Sequence, residues 1–309
     1  VPRDWSRDLQ AGLLLDVFQV LFQWSLDTCS IPSFCKWATI IPVPKIPKPK
    51  VLNDYRAVVL TPIVMKCFEK IVRNILVEHT KDILDPLQFA YQPNRSVEDA
   101  IGYLLHTVCK HLERTGTYVR VFFVDFSSAF NTIVPGTLVK KLSSVVNPKL
   151  CQWLRDFMTN RVQQVRFGNV MSQARRLSTG TPQGCVLSPI LYTLLTSDFS
   201  CSTASSCHVV KYADDTCFIG LITNNDEVAY RDTVDNFVSW SEENSLVLNA
   251  TKSHEMIFDY RKNGGTNNVP LYIDGKAIQQ VAECKYLGVV IDNKLKWDSN
   301  TKVILSKGN

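Results

Sequence analysis

Two short apolar runs, far apart along the chain, end on carboxylates. Val119-Arg-Val-Phe-Phe-Val-Asp125 has six residues of seven that are β-formers or tolerated in strands. It reads as a buried strand whose last residue is an acid. Val209-Val-Lys-Tyr-Ala-Asp-Asp-Thr-Cys-Phe-Ile219 reads as strand, two-residue acidic turn and strand, with Asp214-Asp215 at the tip. An acid at the end of a buried strand is costly unless it is paired or metal-bound. Two adjacent Asp repel each other unless a cation lies between them and a third carboxylate. Asp also favours turns through local hydrogen bonds, and for Asp214-Asp215 alone that would suffice. The preceding Tyr-Ala and the apolar strands on both sides tip the balance toward metal. Magnesium takes a few carboxylates plus substrate phosphates. Two such ions roughly 3.5–4 Å apart clamp the attacking and leaving oxygens of an in-line phosphoryl displacement.

Composition narrows the setting. The 309 residues allow one large domain or two to three small ones. With 45% apolar and 20% charged residues, a disordered or collagenous chain is excluded. No apolar run reaches the ~18 residues of a spanning helix; the best candidate, Leu13–Trp24, is broken by Asp16, Gln19 and Gln23. Val1-Pro2-Arg3-Asp4-Trp5 carries neither an initiator Met nor a signal-peptide pattern, so an excerpt of a longer chain is expected. Thirty-four Lys and Arg against 29 Asp and Glu give +5, which permits a polyanionic partner without demanding one. Ten cysteines form no C-x-x-C pair, so no zinc framework is present. Cys67, Cys109 and Cys217 sit in apolar runs as small hydrophobes, and a reducing, intracellular compartment follows.

Along the chain, residues 9–28 read as an apolar helix. Four prolines between Ile40 and Lys50 forbid a helix and any central strand. That stretch should be extended and display Lys45, Lys48 and Lys50, as a solvated loop or a phosphate-facing finger. Thr61-Pro62 should cap a helix with an apolar stripe of Ile63, Cys67, Phe68, Ile71, Ile75 and Leu76, and with Glu69 and Arg73 paired on the opposite face. Ser96-x-x-Asp99 is a capping-box variant opening a helix that runs to about Arg114. Residues 135–160 are helical and mixed, Gly180-Thr-Pro-Gln-Gly184 is a turn-rich loop, and Ser188-Pro189 caps the helix Ile190–Leu195. A helix covers 226–243. Strands follow at Met256–Asp259, at Leu271–Ile273 before an Asp274-Gly275 turn, and at Lys285–Ile291. Lys211 reads as a solvated strand residue. Mixed helices and strands give an α+β class.

The ordered set Phe123-Val-Asp-Phe-Ser-Ser-Ala-Phe-Asn131, Gly180-Thr-Pro-Gln-Gly184, Tyr212-Ala-Asp-Asp215, Leu248-Asn-Ala-Thr-Lys252 and Tyr286-Leu-Gly288 resembles the motif series of reverse transcriptases. Asn53-Asp-Tyr-Arg-Ala-Val-Val-Leu60 and Gln88-Phe-Ala-Tyr-Gln-Pro-Asn-Arg-Ser96 resemble the fingers motifs of non-LTR retrotransposons, the long interspersed elements. The resemblance spans roughly residues 30–297. A lone YADD would be weak; five motifs in the right order are strong.

The resemblance implies a right-hand polymerase fold, with an antiparallel palm sheet backed by helices, acting as an RNA-directed DNA polymerase. Asp125, Asp214 and the Phe126 carbonyl would bind two Mg2+ ions, with Mn2+ as substitute, and Asp215 would support them. The ions would activate a primer 3′-OH toward the triphosphate. Lys252 would protonate the pyrophosphate. Arg56 would grip the triphosphate through its guanidinium fork, helped by Lys45. Phe130 would be a steric gate excluding a 2′-OH. Gln183 and Gly184 would lie beside the incoming nucleotide, with Gly180 and Gly184 allowing close backbone approach. Tyr286, Leu287 and Gly288 would form the primer grip, a hairpin.

Implied partners are an RNA template, a DNA primer and dNTPs, with no membrane, with an endonuclease domain elsewhere in the parent polyprotein, and with work done in the nucleus. The expected layout is an N-terminal helical extension (1–29), fingers (30–115), palm (116–292, with 136–179 contributing to fingers) and the truncated start of a thumb (293–309). Gln92 departs from a usually basic family position. The alternative to an enzyme is a catalytically silent, truncated nucleic-acid-binding remnant.

Overall fold

Helix α1 (Trp5–Thr28) precedes strands β1 (Trp37–Pro44) and β2 (Tyr55–Leu60). Helices α2 (Ile63–Thr80) and α3 (Val97–Leu112) lead to strand β3 (Thr117–Val124). Helices α4 (Pro135–Leu142) and α5 (Pro148–Met158) follow, then strands β4 (Arg161–Phe167), β5 (Val170–Met171) and β6 (Arg175–Leu177), and helix α6 (Ser188–Leu195). The hairpin of β7 (Cys207–Tyr212) and β8 (Asp215–Thr223) is followed by α7 (Val228–Glu243) and β9 (His254–Phe258). Short strands β10 (Tyr272–Ile273), β11 (Lys276–Ala277), β12 (Gln279–Gln280), β13 (Glu283–Tyr286) and β14 (Val289–Asp292) lead to helix α8 (Asp298–Gly308). This computed structural model describes residues 5–181, 184–201, 206–262 and 269–308. The chain divides into two units, one of Val1–Ile83 with Phe130–Leu195, the other of Leu84–Ala129 with Thr196–Asn309.

In the first unit the strands run in the order β2-β1-β4-β5, with β6 also on β4. Strand β1 is therefore central, against the expectation from its prolines. The register explains why. Parallel pairing with β4 covers only Trp37 to Ile40, whereas Pro42 and Pro44 pair on one side alone, with Ala57 and Tyr55 of β2. The prolines occupy the half of the strand that is locally an edge, where a missing N–H is tolerated. An aromatic stack holds the helices together. Phe22 lies on Phe68 at 4.3 Å, Phe68 meets Trp153 edge-on at 5.1 Å, and Trp153 stacks on Phe157.

Helix α2 corrects two expectations. Its N-cap is Pro62 rather than Thr61, whose hydroxyl is buried without a partner. Its buried face is Met65, Phe68, Glu69, Val72 and Leu76, while Ile63 and Ile71 are exposed. Glu69 does not face solvent beside Arg73. Its Oε2 accepts from the backbone N–H of Val186 at 2.6 Å and of Leu187 at 3.1 Å, just ahead of α6. Burial holds the Glu69 carboxyl above its usual range, against those two bonds. A charged side chain that caps a neighbouring element leaves no periodic trace in its own helix.

The second unit is built on the sheet β12-β9-β3-β8-β7. Strand β3 is central and antiparallel to both β8 and β9. One face packs Val119, Val121, Val210, Ile219 and Met256 against Leu104 and Val108 of α3. The other packs Tyr118, Phe122, Val209 and Phe218 against Val234 and Phe237 of α7. The Ser96–Asp99 capping box opens α3 as the sequence indicates. Asp274 and Gly275, both at positive φ, make the expected turn between β10 and β11. Residues 285–291 are not one strand but a hairpin, with Tyr286 paired to Val289. Lys211 is not solvated either. It is 2% exposed, ion-paired to Asp85 at 2.7 Å, and donates to the carbonyls of Thr196 and Phe199. Of the cysteines expected in apolar packing, Cys217 is buried but Cys67 and Cys109 are exposed. Among the described residues no helix is long and apolar enough to cross a membrane.

Candidate active site

The register of the central sheet brings the acids together. In the β3–β8 ladder Val124 pairs with Thr216, so Asp125, one step beyond β3, falls level with Asp215 at the start of β8. Tyr212 pairs with Asp215 across the β7–β8 hairpin. The two-residue loop is therefore Ala213-Asp214, and the acidic turn is shifted one residue from the sequence reading. Ala213 has φ +58°, a value that hairpin turns of this length usually assign to glycine.

That strained residue is held from outside the hairpin. Gln88 Oε1 accepts the Ala213 N–H at 3.1 Å and the Ala90 N–H at 3.0 Å. The backbone around Gln88 runs alongside β7, with Phe89 N–H to Lys211 O at 2.8 Å and Lys211 N–H to Leu87 O at 2.9 Å. Asp125 is clamped in a similar way. Its N–H donates to Ser253 Oγ at 3.0 Å, and its carbonyl accepts the Asn249 N–H at 2.8 Å. Ser127 N–H donates to Val247 O at 2.8 Å. These bonds make Phe126 and Leu248 an antiparallel bridge pair, with the Phe126 carbonyl turned away from that ladder. Gln88, Asn249 and Ser253 were not picked out from the sequence, although Gln88 and Asn249 lie inside quoted motifs. Their roles run through backbone groups distant in sequence.

Two of the three carboxyls are held above their usual range. Partial desolvation, then the charges of Asp214 and Asp125, push Asp215 up to about 6. Burial first, then the Asp125 charge, raises Asp214 against a bond from its own backbone N–H. Asp125 Oδ2 is buried with no hydrogen-bond partner, and no ion pair reaches any of the three acids among the described residues. The same residues form no group of three His, Cys, Asp or Glu side chains placed to hold a metal ion. Magnesium needs none, since one or two carboxylates with substrate phosphates are its usual protein environment. An orphaned buried carboxylate oxygen beside two repelling acids therefore fits a hard divalent cation.

Asp125 and Asp215 open into a pocket of about 400 Å3 that Lys252, His254, Tyr286 and Leu287 also line. Tyr286 is buried, its ring 5.0 Å from Phe123 and its hydroxyl accepting from the Cys217 thiol. Leu287 and Gly288, at φ +47° and +90°, form the tip of the β13–β14 hairpin. Only the tip is presented, with Tyr286 acting as its anchor.

The remaining candidates belong to the first unit. Arg56 is exposed on β2 opposite Val43. Lys45 continues that ladder, its N–H donating to Asp54 O at 2.7 Å, which puts Lys45 and Arg56 on one face by strand alternation. The Asp54 carboxylate accepts the Lys50 and Val51 N–H groups, which hold its pKa below the usual range and close the loop between the strands. Phe130 is half-buried, its ring 5.0 Å from Tyr192. Gly180, at φ +78°, donates to Ile133 O, and an added Cβ would sit 2.7 Å from Asn131 O. Its close approach is thus to the Phe130 segment of the chain itself. Gly184 has φ +86°, and Gln183 lies outside the described residues.

Residues 46–291 match the family model for reverse transcriptase (RNA-dependent DNA polymerase). The chain is 26% identical, over 91% of its length, to the RNA-directed DNA polymerase from mobile element jockey of Drosophila melanogaster. It is 24% identical, over 82%, to the probable RNA-directed DNA polymerase from transposon X-element of the same fly. It spans 31% and 28% of those relatives' own lengths. Among solved structures it is similar to apo telomerase from Candida tropicalis truncated from its C-terminal domain, with TM-score 0.58 and 13% identity over 87% of this chain and 55% of that one. A second likeness, to Candida tropicalis telomerase in complex with a telomeric RNA fragment, also has TM-score 0.58, at 12% identity over 87% of this chain and 45% of that one. At such identity the likeness is one of fold, the α+β polymerase right hand. With the motifs in order along the chain and a sheet that gathers their acids, the chain belongs to the reverse transcriptase family, in its non-LTR retrotransposon branch.

Proposed function

We propose that this chain is the polymerising part of an RNA-directed DNA polymerase, adding deoxynucleotides to a primer 3′-OH along an RNA template. One observation carries the reading: the buried, partnerless Oδ2 of Asp125 at strand ends shared with two carboxyls of raised pKa. Asp125, Asp214 and the Phe126 carbonyl would hold two Mg2+ or Mn2+ ions, with Asp215 in support. Once bound, the ions supply Lewis acidity toward the primer hydroxyl and neutralise triphosphate charge.

The chain's own residues do the rest. Arg56 offers two parallel N–H donors to phosphate oxygens, with Lys45 on the same face adding charge. Phe130, steadied by Tyr192, fills the space a 2′-OH would need. By the family resemblance, Gln183 and Gly184 would lie beside the incoming nucleotide. Lys252 gives a proton to the departing pyrophosphate. The Leu287-Gly288 tip seats the primer end. In this reading the β3–β8–β7 sheet is the palm, residues 30–115 with 136–179 supply fingers, and 293–309 begin a thumb. The parent protein would act in the nucleus with an endonuclease domain of its own.

The test is primer extension with the purified chain on an RNA template with a DNA primer, dNTPs and Mg2+. The expected result is extension that falls to background in Asp214→Asn. Extension that persists in Asp214→Asn overturns the reading. RNA binding indifferent to Mg2+ and to Asp125→Ala, with no extension at all, would favour a silent nucleic-acid-binding remnant.

A further inference from the structure

At the end of the palm sheet away from the acids, a pocket of about 410 Å3 lies between α3 and strands β7, at the sheet edge, and β8 beside it. Tyr103, His106, Thr107, Lys110, His111 and Arg114 supply one wall, at the three- and four-residue spacings of a single helix face. Ser206, His208, Leu221 and Thr223 supply the other. Leu221 N–H donates to Ser206 O, and His208 pairs with Ile219, so these four residues share the sheet face turned to α3. Strand β8 runs nine residues from Asp215 to Thr223. At ~3.3 Å per residue the pocket begins about 13 Å from the catalytic strand ends, at His208, and reaches roughly 26 Å at Thr223.

The lining has one chemical character. It contains a lysine, an arginine, three histidines and four hydroxyl side chains, and no carboxylate. Lys110, Arg114 and His106 are exposed, and no ion pair engages Lys110 or Arg114 among the described residues. Other polar groups are already committed. Tyr103 Oη bonds His208 Nδ1 at 3.0 Å, and His111 Nε2 bonds Ile222 O at 2.9 Å. Burial lowers the His208 pKa, which keeps that ring neutral near pH 7. A helix face bearing cations is ordinarily just solvated. Here it faces a wall of protein, and the two free cations overhang a concavity in which Tyr103, His111 and His208 are fixed by hydrogen bonds.

We propose that this pocket binds a phosphate of nucleic acid, with Lys110 and Arg114 on the phosphate oxygens and His106 and Thr107 beside them. It would anchor RNA on the palm at a place distinct from the catalytic acids, and it does not depend on the polymerase reading. Arginine and lysine are suited to this task, the one as a fork and the other as a point charge.

The experiment is fluorescence anisotropy with a labelled 20-nucleotide oligo(U) RNA in EDTA, over a salt series. The Lys110→Gln/Arg114→Gln variant should bind about tenfold more weakly. Its log K against log salt slope should be shallower by roughly 1.4, the value for two lost single-strand phosphate contacts. The conservative Lys110→Arg variant should keep wild-type binding. Unchanged affinity and slope in Lys110→Gln/Arg114→Gln overturns the proposal. So does binding of inorganic phosphate or dATP that this variant abolishes while RNA affinity stays the same, since the pocket would then serve free phosphates.

Discussion

The carboxyl of Asp215 works against the stability of its own strand end. An acid whose folded pKa is raised to about 6, from ~3.9 in the unfolded chain, binds more protons folded than unfolded between those values. Stability therefore falls as pH rises from about 4 to 6, and the loss persists above. Asp215→Asn should raise the melting temperature at pH 8 and leave it unchanged near pH 4, while weakening extension. An equal gain at both pH values would contradict the repulsion. Phe130→Ala should admit ribonucleotides, read as the ratio of rNTP to dNTP incorporation; unchanged exclusion would remove the ring from sugar selection. The acids themselves were legible, because a carboxylate closing an apolar run has few inexpensive explanations. The residues that hold them were not. Gln88 grips the Ala213 N–H, and Ser253 grips the Asp125 N–H. An uncharged side chain on a distant backbone group has no signature in composition or period.

At the scale of elements, local chemistry was readable wherever the chain closes on itself. The Ser96–Asp99 box and the Asp274-Gly275 turn are such cases. Reading failed where a partner elsewhere decides. Pro42 and Pro44 sit in a strand that is central at one end and an edge at the other. Glu69 leaves the polar face expected of it to cap the approach to α6. Glu69→Ala should cost about 2–3 kcal/mol in denaturant unfolding, because two backbone donors lose their acceptor. A loss under 0.5 kcal/mol would mean that other groups satisfy them. Gly180 joins the Pro-Gln-Gly loop to the Phe130 segment, and an added methyl group would meet the Asn131 backbone. Gly180→Ala should destabilise by about 1–3 kcal/mol, through both the positive φ and the overpacking. It should also reduce extension more than the stability loss explains; extension reduced only in step with stability would reject any role in placing the site.

For the molecule as a whole, one sheet gathers the three acids. Strand β3 delivers Asp125, the β7–β8 hairpin delivers Asp214 and Asp215, and the β13–β14 tip lines the same pocket as Asp125 and Asp215. The α+β class and the order of motifs along it were visible in the residues. The chain passes between its two compact units three times, and no change of composition marks the crossings. The account stands on three acids acting together on divalent metal, and metal binding measured without turnover tests this most directly. Mn2+ is titrated by electron paramagnetic resonance into the chain held with an RNA template, a DNA primer lacking its 3′-OH and the matching dNTP. Wild-type chain should take up Mn2+ that Asp125→Asn and Asp214→Asn each lose, at least tenfold in affinity. Equal uptake by all three proteins would contradict the account.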